Sequence, residues 1–422
     1  MRSSAQWQAW RTVRSFGSGN SGEHASQWSA RDSRLARPYS PVPGSVSDRL
    51  LADPPTTRQK APVLRSLLPR RLRSPERFTG VASGPEIRVT VGVTSHNEAE
   101  RIGRCLDSLL AQTVGPEHIE VLVVDDGSRD STVKLARSYA ERAEWGGFHV
   151  VQHRATGSPS KGRNTVLDSA AGEYVFFVDA DDYLGPDALQ AMLRAARSQV
   201  ADIVVGRYVG VNRSAPNVLE PKGNDPAGTY HAGWLNSLHV QKLFRTAFLR
   251  GLPYRFNESL VYASDHPFMV CAFLHADSVT FVDDVDCYFI TLEEPDAGHR
   301  VHVSRAEISA VQQLQFLHDC FGVMALARGQ GGGLAKRAGR MRADYWNRLL
   351  KLHVPMLILR KHDAAAVVEL ARQTCRMAEL YGARTSRARL VADAHTVLEA
   401  LESEDPDVIR RTVQGVRAAV AR

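Results

Sequence analysis

Hydrophobic and polar positions alternate through the middle of this chain in a repeating strand–helix rhythm. "IRVTVGV" at 87–93 is a β-rich run, followed by a polar turn and "EAERIGRCLDSLLAQT", in which Ile102, Leu106 and Leu109/Leu110 recur at helical spacing. "IEVLVVDDGS" predicts a second, buried strand, and "DSTVKLARSYAERA" a second helix. "FHVVQH" predicts a third strand, and "GRNTVLDSAAG" a helix closed by Gly172. The fourth strand, Tyr174–Val178, is five apolar residues in a row and reads as buried on both faces. A helix over "GPDALQAMLRAARS" and a strand over "ADIVVGRYVG" follow. The alternation predicts an α/β fold, a mostly parallel sheet with helices on both faces.

Past about residue 210 the rhythm loosens. "KLFRTAFL" and "DHPFMVCAFLHA" read as helices among turns, and "SVTFVDDVDCYFITL" as a returning strand or hairpin. After Ser304 the chain is Ala-, Leu- and Arg-rich and helical in pattern, broken by "RGQGGG" at 328–333. The expected organisation is a leader over 1–85, an α/β domain over 86–304 and a helical accessory region over 305–422.

Charge separates the leader from the rest. The 422 residues carry a net +7, but residues 1–85 hold fourteen Lys/Arg against five Asp/Glu, so the remaining 337 sum to −2. The leader is Arg-, Ser- and Pro-rich and is expected to be disordered apart from a short helix near 63–72. Because the basic excess stops at residue 85, nucleic-acid binding by the folded part is not expected, and membrane contact is expected to be at most peripheral, through the leader. No apolar run is long enough to span a bilayer, and the start of the chain lacks a signal-peptide core. The five cysteines are scattered without a CxxC pair, which favours reduced thiols and a cytoplasmic setting, the basic leader allowing at most peripheral placement at the inner membrane face.

The polar clusters fall after the strands: "TSHNE", "DDGSRD" and "DADD". In a doubly wound sheet ligands bind beyond the carboxyl ends of the strands. Asp179 and Asp181, two apart at a strand end, are hard oxygen donors that suit Mg²⁺ or Mn²⁺ with positions left for phosphate oxygens. The plainer reading is local: Asp182 or Asp187 caps the next helix, and Asp126 closes a turn.

"VTVGVTSHNEAERIGRCLDSLL", "IEVLVVDDGSRDST" and "GSPSKGRNTVLDSAAGEYVFFVDADDYL", in that order and spacing, resemble the family 2 glycosyltransferases of GT-A fold. The resemblance covers about residues 86–300. It implies an inverting transfer from a nucleotide-diphosphate sugar, expected to be UDP-linked, with a divalent metal as cofactor. Position by position it implies a nucleotide-sugar site of Thr94, His96, Asn97, Glu98, Asp126, Gly157, Arg163, Asn164 and Asp179, with Asp181 and Asp179 at the metal. Thr94 and His96 stand where the family often has Pro and an aromatic, and Gly162 where it has Ala. "ASDHPFMVCAF" resembles the segment that carries the catalytic base, here Asp265, with Ser264 in the usual Glu place. Asp265 also reads as a helix N-cap. Arg300 or His302 stands where family members often carry basic residues that meet the diphosphate. Trp234 and Tyr262 read as core more than as sugar-stacking platforms.

The resulting expectation is an enzyme that moves a hexose or N-acetylhexosamine to a hydroxyl of a cell-envelope glycan or similar polyol. Its helical region would bind acceptor or build a homo-oligomer. The competing expectation is a non-catalytic nucleotide-sugar-binding or scaffold protein that keeps the fold, favoured by Ser264, Thr94 and His96.

Overall fold

Runs of β-branched residues build the centre of the sheet: β1 (Val89–Ser95), β2 (Ile119–Asp125), β3 (Gly147–Gln152) and β4 (Tyr174–Asp179). In β1, β2 and β4 residues on both faces are buried, as their unbroken apolar runs require, whereas β3 is a half-exposed edge. The computed structural model describes residues 86–216, 230–292, 308–383 and 389–420. The leader, Arg300 and His302 lie outside them.

Strands β5 (Tyr183–Leu184), β6 (Ile203–Val211), β7 (Leu243–Arg245) and β8 (Val279–Thr291) complete an eight-stranded sheet of order β3-β2-β1-β4-β7-β6-β8-β5. Four of its pairings are parallel and three antiparallel, so it is a mixed sheet with a parallel half. The segment expected as a strand or hairpin is the single strand β8. Its register against β6 slips at Gly206/Arg207, where Gly206 pairs with Val282 and Arg207 with Asp286. Register in the parallel half brings chemistry to one edge: Thr94 lies beside Asp179, and Ser95 beside Asp125.

Helices α1 (Ile102–Leu110), α2 (Thr132–Arg137), α3 (Ser160–Ser169), α4 (Ala188–Gln199), α5 (Thr246–Gly251) and α6 (Asp265–His275) accompany the sheet. Helix α3 lies close on β1, because Gly92 leaves room for Val166; a Cβ at 92 would stand 2.5 Å from a Val166 methyl. Gly172 does not cap α3, which ends at Ser169. It is needed for close approach instead, since a Cβ there would meet the Thr90 nitrogen at 2.5 Å.

The C-terminal region is helical: α7 (Ala310–Leu314), α8 (Phe316–Gly329), α9 (Gly332–Arg348), α10 (Val354–Leu359), α11 (Ala364–Leu380), α12 (Ala392–Glu402) and α13 (Pro406–Val420). One core runs from the sheet through α6 into these helices, with Phe268 and Phe273 meeting Phe316, Tyr345 and Trp346 in the same buried cluster. Arg337 on α9 donates to the carbonyls of Leu274 (3.0 Å) and Ala276 (2.6 Å), placing a cation on the last turn of α6. Between α9 and α10 the segment Leu349–His353 is a π-helix. Pro355 has no N–H to give the carbonyl of Lys351, which relieves the ordinary i→i−4 pattern there.

Candidate active site

A cleft of about 920 Å³ opens beyond the carboxyl ends of β1, β2 and β4. Thr94, His96, Glu98, Asp126, Gly157, Arg163, Asp179, Asp181 and Asp265 all line it. Residues from the ends of three strands, from α3 and from α6, which are far apart in sequence, thus meet on one concave surface.

The three acids of "DADD" take three different environments. Asp179 accepts from Thr94 Oγ1 (3.1 Å), Arg163 Nη2 (3.1 Å) and Gln241 Nε2 (2.6 Å). Asp182 is buried, taking Tyr288 O–H (2.9 Å) and the Thr291 amide (2.7 Å). Burial raises its carboxyl well above the usual range, and the charges of Asp181 and Asp179 add to the rise. Asp181 lines the cleft while its carbonyl accepts from Arg104 (2.7 Å) and Thr291 (2.6 Å), which fixes the turn. Arg163 and the hydroxyl and amide donors thus satisfy Asp179 and Asp182, while repulsion among the three acids persists in the raised Asp182 carboxyl. Asp187 gives α4 no side-chain cap; it accepts from Thr113 at 2.9 Å.

The "DDGS" turn divides its two acids. Asp125 is buried and closes the turn, accepting from the Ser128 amide (2.8 Å) and from Ser95 (3.2 Å). Asp126 points the other way and accepts from the Thr156 amide (2.9 Å), the Thr156 hydroxyl (2.9 Å) and the Gly157 amide (2.9 Å). Its carboxylate therefore orders the loop before α3, with Gly157 at φ +76. His96 Nδ1 lies 2.7 Å from the Asp126 carbonyl. Glu98 is buried against Arg101 Nε (2.5 Å).

Two predicted residues do not reach the cleft. Asn97, at φ +53, accepts from the Arg129 amide with its side-chain oxygen (2.9 Å). Asn164 is buried across from the 256–258 loop, its side-chain nitrogen donating to the Phe256 carbonyl (2.9 Å) and Glu258 (3.0 Å) and its oxygen accepting from the Phe256 amide (3.1 Å). Both hold loops in place. Two departures noted in the sequence turn out to be neighbours: a Cβ at Gly162 would stand 3.1 Å from the Thr94 methyl. Thr94 fills space on the β1 edge that a larger residue at 162 would contest.

Asp265 is the first residue of α6, and Ser264, the formal N-cap, makes no side-chain cap bond. Among the described residues no ion pair holds the Asp265 carboxylate. Burial at the cleft floor raises it above its ordinary value, Asp179 adds to the rise and Arg163 opposes it. Ala263, two residues earlier, sits at φ +50, a left-handed conformation costly for a residue with a Cβ. His266 is buried and held well below its ordinary value by burial, Arg348 and His353. Trp234 packs edge-on to Tyr230 and against Phe273, in the core as expected. Tyr262 lines the cleft beside Phe316 and His353.

Sequence reasoning missed the far wall. Gln241, which bonds Asp179, and Arg348, His353, Met356 and Arg360 from the C-terminal helices all line the same cleft. Asp179 and Asp181 offer oxygen donors of the kind Mg²⁺ or Mn²⁺ takes. Among the described residues no three His, Cys, Asp or Glu side chains are grouped to hold a metal ion.

Comparison with known proteins agrees with this architecture. Residues 90–254 match the family model "Glycosyl transferase family 2". The chain is 30% identical over 206 residues to the poly(ribitol-phosphate) beta-glucosyltransferase of Bacillus spizizenii, covering 48% of this chain and 32% of that protein. It is 29% identical over 230 residues to the poly(ribitol-phosphate) beta-N-acetylglucosaminyltransferase TarS of Staphylococcus aureus, covering 54% of this chain and 40% of TarS. It thus spans well under half the length of either relative. The crystal structure of S. aureus TarS 1–349 with UDP-GlcNAc superposes with a TM-score of 0.63 at 25% identity, over 79% of this chain and 92% of that one. Among the described residues no helix is long and apolar enough to cross a membrane. The part of the chain that resembles glycosyl transferase family 2 thus runs from β1 through α5.

Proposed function

We propose that this chain is an inverting glycosyltransferase that moves a hexose or N-acetylhexosamine from a UDP-sugar to a hydroxyl of a polyol-phosphate or related cell-envelope glycan. The observation that carries the reading is that Asp265 shares one cleft with Asp179 and Asp181 at the strand ends, where the parallel half of the sheet receives ligands. The named activities of the two relatives support the substrate class.

In this reading the nucleoside lies over Thr94, His96 and the Asp126–Gly157 loop, with Asp179 toward the ribose. Asp181 and Asp179 would hold a divalent cation, which supplies charge neutralisation for the diphosphate leaving group. Arg163 keeps Asp179 oriented from below. Asp265 accepts the proton of the acceptor hydroxyl as that oxygen bonds to the sugar's C1 and the bond from C1 to the phosphate oxygen breaks, its electron pair leaving with the diphosphate. A carboxylate with raised proton affinity is suited to that role.

The test is a thermal-shift series with UDP, GDP and their sugars, with and without Mn²⁺, followed by turnover of Asp265→Asn. A metal-dependent rise with uridine nucleotides is expected. The variant is expected to keep donor affinity and lose turnover by at least about a hundredfold. No nucleotide shift, or equal loss of donor binding and turnover in the variant, overturns the proposal.

A further inference from the structure

The wall of the cleft opposite the strand ends is built by the C-terminal helices, and it contains a cation without a partner. Arg348, the last residue of α9, lines the cleft, yet its Nε and Nη1 are buried with no hydrogen bond, and no ion pair within 4.0 Å holds it among the described residues. Guanidinium does not give up its charge, so a half-buried guanidinium with two of its three nitrogens unpaired is poorly solvated and poised for an anion. Its neighbours do not supply one. His239 is kept neutral by burial, Lys242 and Arg348, and His353 by burial, Arg348 and Arg360, each held down to about 3. Asp265 is near enough for its charge to be felt but forms no ion pair with it.

The π-helix directly after Arg348 closes on residues five apart, which brings Arg348 and His353 toward the same face. His353 Nε2 is likewise buried without a partner. The pair offers one site for an anion and one for a hydroxyl. Nearer the mouth, exposed Arg360 and Arg417 line the same cleft.

We propose that Arg348, with His353, forms an acceptor subsite that binds a phosphoryl group of the acceptor polymer, Arg360 and Arg417 meeting further phosphates along the chain. The inference rests on the glycosyltransferase reading. There the donor's diphosphate belongs to the strand ends. An acceptor hydroxyl must reach Asp265 from the side away from that leaving group, and this is the side the C-terminal helices supply.

The experiment compares wild type with Arg348→Gln and Arg348→Lys, using a UDP-sugar with a synthetic ribitol-phosphate oligomer and with ribitol as the phosphate-free acceptor. Three quantities are measured separately: calorimetric donor affinity, donor hydrolysis without acceptor, and acceptor KM and kcat. Arg348→Gln is expected to raise the oligomer KM at least tenfold, leave ribitol kinetics, donor affinity and hydrolysis unchanged, and not lower Tm, because it removes an unpaired, half-buried charge. Arg348→Lys is expected to recover part of the loss. A parallel fall in donor affinity would assign Arg348 to the donor diphosphate and overturn the proposal. So would equal loss on both acceptors, or a lowered Tm with no selective KM change. Wild type that neither binds nor hydrolyses UDP-sugars would instead refute the enzyme reading. In that event inorganic phosphate binding, lost in Arg348→Gln, still supports the anion site, and its absence in wild type overturns it.

Discussion

Gly92→Ala is the substitution that most directly couples the fold to the candidate site. A Cβ at 92 would stand 2.5 and 2.6 Å from the two Val166 methyls and 3.1 Å from its Cβ. Ordinary carbon contacts lie near 3.5–4.0 Å, so α3 must retreat by about 1 Å. Val166 is fully buried, so the retreat disturbs a packed interface and should cost about 2 kcal/mol, a Tm lower by about 3 °C for a cooperative core of this size. The same retreat carries Arg163, one turn earlier on α3, away from Asp179; their 3.1 Å hydrogen bond would lengthen past useful range. Donor affinity should fall with stability. Val166→Ala removes the two clashing methyls at a cost of about 1.6 kcal/mol on its own. In the double variant only the 3.1 Å Cβ approach remains, so its stability should lie within about 0.5 kcal/mol of Val166→Ala alone. Urea melts of the four proteins, with UDP titrations on each, measure the cycle. Simple addition of the two losses would refute the account of how α3 is seated.

Two further predictions concern the carboxyls. Burial and Asp179 raise Asp265, so kcat/KM should fall on the acid side as pH drops through the raised value, measured as a pH–rate profile. Because the folded value exceeds the unfolded one, stability is lost as pH climbs through that window. Asp265→Asn should therefore raise Tm near about pH 7.5, with the gain shrinking toward about pH 4; an unchanged Tm difference across pH would contradict this. Asp182 is raised for the same reasons, with Asp181 and Asp179 adding repulsion, so Asp182→Asn should show the same pH-dependent gain in melts. Its amide oxygen can still accept from the Thr291 amide while its NH2 faces the Tyr288 oxygen, and a loss of stability at about pH 8 would show that the charged form is the one the fold requires.

Much of the sheet was legible in the chain alone. Continuous Val and Phe runs report burial on both faces, and β1, β2 and β4 have it. Polar clusters after those runs lie at the strand ends because side-chain period and strand direction are local properties. Burial and direction, however, do not name partners. Which acid of "DDGS" closes the turn, why Asn97 and Asn164 turn into loops, and how "DADD" is shared among Arg163, Gln241 and Tyr288 depend on groups far away in sequence. Gly172 read as a helix stop because helices commonly end on glycine, yet the Thr90 backbone is what leaves no room for a side chain. The far wall of the cleft was the least legible. Arg348 and His353 look like surface residues of an amphipathic helix until α8 and α9 pack on α6 and turn them toward Asp265. Periodicity records which face of a helix is buried, and tertiary packing alone decides what it is buried against.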